Sequence, residues 1–273
     1  MSVTVAVVGR GFGTAVHAPG WRIVGAETVT VAGRDDWREA IAGADVVSVA
    51  TPPAERVEVV LSEKPLASTV ADAELLEREA RRVPNAVNFS YRALPAFRRF
   101  RELLDADELH VRWTTSSRLR PGTPGWRDDP SQGGALAAYG VHALDYARWL
   151  LGEAEVEAAT VAPREDAFTA VLRHERGRAT IDVSLVEDER MHRVEAGELV
   201  LESLHPTDPV GTFALRRRGG IVSVEPLPPT SGDPRIAPFA VHARALLAGA
   251  DRPTFTDGLQ AQRLLEEVRR AAS

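Results

Sequence analysis

The sequence contains no cysteine, so it can form no disulfide and no cysteine-ligated zinc or iron–sulfur centre. It has almost no lysine: of 33 lysine and arginine residues, Lys64 is the only lysine. A bias that turns surface lysines into arginines spares a lysine where arginine cannot serve, which makes Lys64 a residue to follow. No apolar run approaches the ~20 residues that cross a bilayer. The opening MSVTVAVVG shows neither a basic leader nor a small-residue cleavage site, so a cytoplasmic location is expected. There is no basic excess either. Against the 33 basic residues stand 39 acidic ones, a net charge of −6, which argues against nucleic acid and anionic membranes as partners. The histidines are scattered without metal-ligand spacing, and no metal site is expected.

What is present describes a globular chain. Its 273 residues, 44 % apolar and 26 % charged, suffice for one large domain or two modest ones with a core that needs no staple. Val3 to Val8 is a continuous apolar run, as a buried parallel strand requires. The runs 28–32, 45–50, 57–61 and 86–89 continue the series, with helical stretches at 15–23, 36–42 and 71–82 between them. Strands alternating with helices predict an α/β fold, a doubly wound parallel sheet of Rossmann type. After a helix at 96–104 the pattern changes. A strand at 110–116, a Pro/Gly-rich loop at 120–134 and a helix at 135–151 ended by Gly152 precede several strands between 156 and 224. These predict an α+β C-terminal domain with an open, mostly antiparallel sheet. Helices are predicted at 236–247 and 258–272. The expected division is residues 1–93 as a dinucleotide-binding domain and 94–273 as a substrate and oligomerisation domain, with a C-terminal helix able to return to the first.

GRGFGT, residues 9–14, stands between the first strand and the first helix. Gly9 and Gly11 permit a tight turn and let the backbone approach a pyrophosphate at the helix N-terminus. Thr14 replaces the third glycine of GxGxxG, with Gly13 one place early. The second strand should end in an acid for the ribose 2′-hydroxyl of NAD, or near an arginine for the 2′-phosphate of NADP. Here it ends in Gly33 and Arg34, which favours NADP(H) over NAD(H), although Asp35 and Asp36 could also reach a ribose. His17, after the glycine turn, is read as a packing or capping residue.

Several further motifs follow in a fixed order: ATPP (50–53), EKP (63–65), NFSYR (88–92), Trp126-Arg127, GGALAAYGVHALDYARWLLG (133–152) and TFTDGLQAQRLLEEV (254–268). In this order they resemble the Gfo/Idh/MocA oxidoreductases, the glucose–fructose oxidoreductase and inositol dehydrogenase family, over nearly the whole chain. The resemblance implies a Rossmann domain followed by an open-sheet domain whose outer face makes homodimers or homotetramers. It implies that Gly9, Gly11, Phe12, Gly13 and Thr14 hold the pyrophosphate, and that Thr51 and Pro52 lie along the cofactor. It places Glu63 and Lys64 near the nicotinamide ribose and Trp126 and Arg127 toward the nicotinamide. Lys64 and His142 become the acid–base groups. The chemistry agrees, because moving a hydride between a carbinol and a nicotinamide requires a proton to move at the oxygen, and a lysine or a histidine can carry it.

The sequence departs from the family pattern in two places. An aspartate usual four residues before the histidine is Ala138 here, with Tyr139 and Tyr91 as possible replacements; Asp145 shares the face of His142 at i+3. Only six residues separate the third strand from the fourth as read, too few for a crossover helix, which needs about 10–12. The expected function is an NAD(P)-dependent oxidoreductase acting on a sugar, sugar nucleotide, small ketone or imine. The alternative is a dinucleotide-binding sensor or assembly protein without turnover.

Overall fold

The structure is a computed structural model that describes residues 3–33, 35–50, 59–115, 134–203 and 213–272. The chain divides into two compact units. One comprises residues up to Leu94 together with Leu227–Leu259; the other comprises Pro95–Pro226 and Gln260 onward.

The first unit is built on strands β1 (Thr4–Val8), β2 (Thr28–Ala32), β3 (Val46–Val49), β4 (Val60–Ser62) and β5 (Asn85–Val87). They pair in parallel in the order β2-β1-β3-β4-β5. The burial of β1 beyond Thr4 and of all of β3, apolar but for Ser48, is that of strands covered on both faces. Helix α1 (Ala18–Val24) ends at Gly25, whose φ of +96° forms a left-handed cap. Pro19 is accommodated because it sits in the first turn, where no N–H is needed. Helices α2 (Trp37–Ile41) and α3 (Val70–Ala80) follow, the latter capped by the Thr69 hydroxyl accepting from Asp72 N–H at 3.1 Å.

The fourth strand begins later than the apolar run suggests. Val60 pairs with Val47, so residues 50–59 make the connection, and 51–58 of it lie outside the described residues. Pairing with β3 sets the register, and β-branched character alone does not mark where a strand starts.

The second unit contains α4 (Pro95–Leu103), β6 (Glu108–Thr114), α5 (Val141–Leu151) and strands β7 (Ala154–Val161), β8 (Ala167–His174), β9 (Gly177–Ser184), β10 (Met191–Ala196), β11 (Leu199–Ser203), β12 (Phe213–Arg217) and β13 (Gly220–Val222). Its eight described strands run in the order β13-β12-β11-β10-β6-β9-β8-β7. β6 pairs in parallel with β9, and the other neighbours pair antiparallel. Burial alternates along β6, β8 and β10, so one face is apolar and the other open.

Helix α6 (Ile236–Leu247) returns to the first unit, where Phe239, Ala243 and Leu246 join Val5, Val7, Trp21 and Leu61 in the core. Helix α7 (Phe255–Ala271) closes the described chain. Its first turn belongs to the first unit, where Gly258 lets the helix approach Val87; an added Cβ would stand 2.9 Å from the valine methyl. Among the described residues, no helix is long and apolar enough to cross a membrane.

Candidate active site

The glycine turn follows β1 directly. Gly9 has a φ of +117°, and its N–H donates to the Ala32 carbonyl at 2.9 Å, tying the turn to the end of β2. A Cβ on Gly9 would come within 2.8 Å of Ala50 Cβ, and one on Gly13 within 2.9 Å of Val7 Cγ1. Gly11 has open space around it. Two glycines therefore serve close packing, while the third leaves bare backbone exposed. Thr14 N–H donates back to Arg10 at 3.3 Å. The N–H groups before it have no helical carbonyl to reach, which is the ordinary basis of an anion site. Gly13–His17 is a widened π-type turn that passes into α1.

At the end of β2, Asp36 folds back on the strand. Its Oδ1 accepts from Gly33 N–H at 2.5 Å and its Oδ2 pairs with Arg10 at 2.8 Å, both side chains largely exposed. The Gly33 N–H and the Arg10 guanidinium hold this carboxyl below its ordinary value. Arg10, inside the glycine motif, thus stands beside the position where the 2′-reader was sought. Arg34, Thr51, Pro52, Trp126 and Arg127 lie outside the described residues.

Glu63 and Lys64 leave the end of β4, and Glu63, itself half-buried, is the hub of a network whose other members, His17, Ser48 and Asn88, are buried. Its Oε1 lies 2.9 Å from His17 Nε2 and accepts from Asn88 Nδ2 at 2.6 Å; its Oε2 faces the Lys64 backbone N–H at 3.3 Å. His17 Nδ1 lies 3.0 Å from Ser48 Oγ, and both residues are fully buried. Burial opposes the charge on Glu63, but the hydrogen bonds from His17 and Asn88 and the nearby positive charge outweigh it. The carboxyl is held below the usual range. Asn88 Oδ1 is buried without a hydrogen-bond partner among the described residues. His17 does pack, stacked on Phe239 at 4.4 Å and edge-on to Phe12 at 5.4 Å, yet it also carries a hydrogen bond to the EKP acid. Ser48 was not singled out by pattern, and Asn88 entered only as the first residue of NFSYR. The partners of Glu63 and His17 come from four separate segments, and no local spacing links them.

His142 belongs to the second unit, one residue into α5 and just after a second π-type turn at Leu136–Gly140. Such turns recur at functional sites. The residue is 8 % exposed, with its ring 6.4 Å from that of Trp113. Asp145 is buried on the same helix, and Ala138 is buried in the widened turn. Tyr139 meets Trp113 edge-on at 4.8 Å, whereas Tyr91 is buried in the first unit. Below α5 sits a cluster the sequence did not mark. His192 is stacked on Trp113 at 3.9 Å and bonded to the Tyr146 hydroxyl at 3.1 Å. Burial lowers the His192 ring to about 3 and raises Tyr146 well above its ordinary value, so the ring is neutral and accepts from the phenol.

The predicted cofactor residues Gly9, Gly11, Phe12, Gly13, Thr14 and Gly33 therefore gather at the ends of β1 and β2, and Glu63 and Lys64 at the end of β4. Lys64 and His142 lie on different units.

Comparison with known proteins gives a consistent picture. Residues 97–196 match the model of the GFO/IDH/MocA C-terminal domain. A curated relative, an uncharacterized oxidoreductase of Synechocystis sp., is 29 % identical over 205 residues, 59 % of this chain and 54 % of its own. The match thus spans about half the length of that relative. Among solved structures, an NAD binding oxidoreductase from Klebsiella pneumoniae superposes with a TM-score of 0.79 at 18 % identity, covering 99 % of this chain and 96 % of the other. Levoglucosan dehydrogenase in complex with NADH and L-sorbose superposes with a TM-score of 0.76 at 18 % identity, covering 100 % and 97 %. At that identity the likeness establishes the fold.

Proposed function

We propose that this chain is a member of the Gfo/Idh/MocA family and an NAD(P)-dependent oxidoreductase that moves a hydride between a nicotinamide cofactor and a carbonyl or carbinol carbon. One observation carries this reading. The strand order β2-β1-β3-β4-β5 reverses between β1 and β3, where a doubly wound sheet binds its ligand, and the glycine turn, the Glu63–Lys64 pair and Asn88 all follow the carboxyl ends of these strands.

The residues fit the group. Gly11 offers unshielded backbone at the start of a helix, suited to a pyrophosphate, with Phe12, Gly13 and Thr14 completing the turn. The buried Asn88 Oδ1 seeks a donor such as a carboxamide N–H. Thr51, Pro52, Trp126 and Arg127 are assigned the remaining cofactor contacts from sequence. The bound nicotinamide supplies or accepts the hydride. Lys64 and His142 are assigned the proton that must move at the substrate oxygen. A sugar or another small polyhydroxylated carbonyl compound is the substrate class, supported by the L-sorbose bound to a similar fold. Assembly into a homodimer or homotetramer through the open sheet face belongs to the same reading. A sensor without turnover finds no support.

NADP(H) is the favoured cofactor, read by Arg34 and now also by Arg10. Fluorescence titration should give tighter binding for NADPH than for NADH. Arg34→Ala should weaken NADPH binding by about 1.5–3 kcal/mol and leave NADH nearly unchanged. Arg10→Ala should act in the same direction, because its guanidinium already sits on the carboxylate that closes β2. Equal losses for both cofactors would refute the phosphate assignment. Failure to bind either cofactor, or to consume it against a panel of sugars and ketones, would refute the enzyme.

A further inference from the structure

We infer that His17 is a positioning residue for the Glu63–Lys64 pair, locking the Glu63 carboxylate beside the lysine from inside the core. The inference rests on the reading of Lys64 as a proton-transfer group.

His17 is completely buried, and an imidazole in such a place is costly unless its nitrogens are bonded. A leucine or phenylalanine would fill the slot between Phe12 and Phe239 without that penalty. Instead both ring nitrogens are used, one on Ser48 at 3.0 Å and one on Glu63 at 2.9 Å. An ionised carboxylate only accepts, so Nε2 must carry the hydrogen and donate it. Ser48 lies on β3, and Phe239 stacks on the ring at an interplanar angle of 25°, so the donor cannot swing away.

The bonding on Glu63 is divided between its two oxygens. Oε1 takes both scaffold donors, His17 and the Asn88 amide at 2.6 Å, while Oε2 is turned to the Lys64 backbone N–H at 3.3 Å. Turning the carboxylate would break two bonds to buried partners. Its negative charge is therefore fixed at the Lys64 backbone N–H, where the charges of the two residues are felt by each other, and it favours the protonated lysine. Among the described residues, charged groups on neighbouring segments are engaged in pairs of their own, Arg92 with Asp257 and Arg235 with Asp233. His17 is the titratable group bonded to Glu63.

Lys64 is the only lysine, so its titration can be read directly and without any substrate. The full chain is labelled with trace acetic anhydride across a pH series, and the Lys64 peptide is quantified by mass spectrometry separately from the N-terminus. In His17→Phe the carboxylate loses a donor and its fixed aim. The midpoint of Lys64 labelling should fall by about one pH unit, as a lysine deprived of a neighbouring anion does. Glu63→Gln should shift it the same way. His17→Gln, which keeps a donor near Nε2, should stay close to the parent. A His17→Phe protein that melts cooperatively and labels with the parent's midpoint overturns the inference. Should that variant fail to fold, Ser48→Ala, which releases the ring from β3 without removing it, is expected to shift the midpoint in the same sense, and an unshifted midpoint there overturns it equally. The two readings separate cleanly. A shifted midpoint in a protein that reduces no carbonyl upholds the His17–Glu63–Lys64 coupling and removes the oxidoreductase, whereas turnover with unshifted labelling does the reverse.

Discussion

At the scale of single residues, the buried histidines show how environment decides chemistry. His17 and His192 are both enclosed by aromatic rings, but His17 touches a carboxylate and His192 a phenol. A phenol cannot offset the desolvation of an imidazolium, so His192 sits near 3 in the folded chain, against 6.5 when exposed. The folded value is depressed, so between those limits the unfolded chain binds a proton that the native chain refuses. Stability is therefore intact above about pH 6.5 and declines as the pH falls toward 3. The loss is on the order of 4 kcal/mol at the bottom of that window. Denaturant unfolding followed from pH 7 to pH 4 should show this decline. In His192→Gln, which keeps an acceptor for the Tyr146 hydroxyl, the slope should be visibly flatter. An identical slope in both proteins would mean that His192 is charged in the native state.

At the scale of elements, helix α6 shows what a local pattern can and cannot reveal. Its residues, 236–247, are legible as a helix, but nothing in them says that it packs beside α1, more than 200 positions earlier. The contact is written in Gly20. A Cβ there would stand 2.3 Å from Phe239 Cδ1. Gly20 reads on its own as a weak point in a helix, since glycine-to-alanine changes in helices normally stabilise by up to ~1 kcal/mol. Here Gly20→Ala should instead destabilise by about 1–3 kcal/mol, because the ring beneath it is stacked on His17 and edge-on to Trp21 and has no room to yield. A thermal midpoint equal to or above the parent's would disprove the close approach. The same limit explains the other misreadings. Alternation and β-branching located the parallel sheet and the open sheet, because those signals are local. The start of β4 at Val60 and the π-type turns that end at His17 and precede His142 depend on partners distant in sequence. The site was legible where motifs are contiguous, at 9–14, 63–65 and 88–92, and illegible where it is assembled, in the bonds that join Ser48, His17, Glu63 and Asn88.

At the scale of the molecule, the two proposed acid–base groups belong to different units, Lys64 at the end of a strand in the parallel sheet and His142 on the helix beside the open sheet. A single carbonyl needs one proton for each hydride, so the two groups cannot both be indispensable donors. The one that carries the proton should dominate, and the other should orient the substrate or the donor. Lys64 is the stronger candidate. It is the lone lysine in a chain that otherwise uses arginine, and buried donors fix Glu63 at its backbone N–H. Arginine holds its proton at any accessible pH and is planar and bulkier, so it cannot hand a proton on and take it back. Lys64→Arg should therefore fold and bind NADPH but lose at least ~10²-fold in kcat. His142→Asn should lose between about 10² and 10⁴-fold if it shares the proton, and less if it only orients. The double variant is decisive. Groups acting on one proton in one transition state lose less together than the product of their separate losses, whereas independent roles multiply. If Lys64→Arg turns over at the parent rate, the lysine is only a fixed charge, and the proton must be carried by His142 or by a tyrosine beside it.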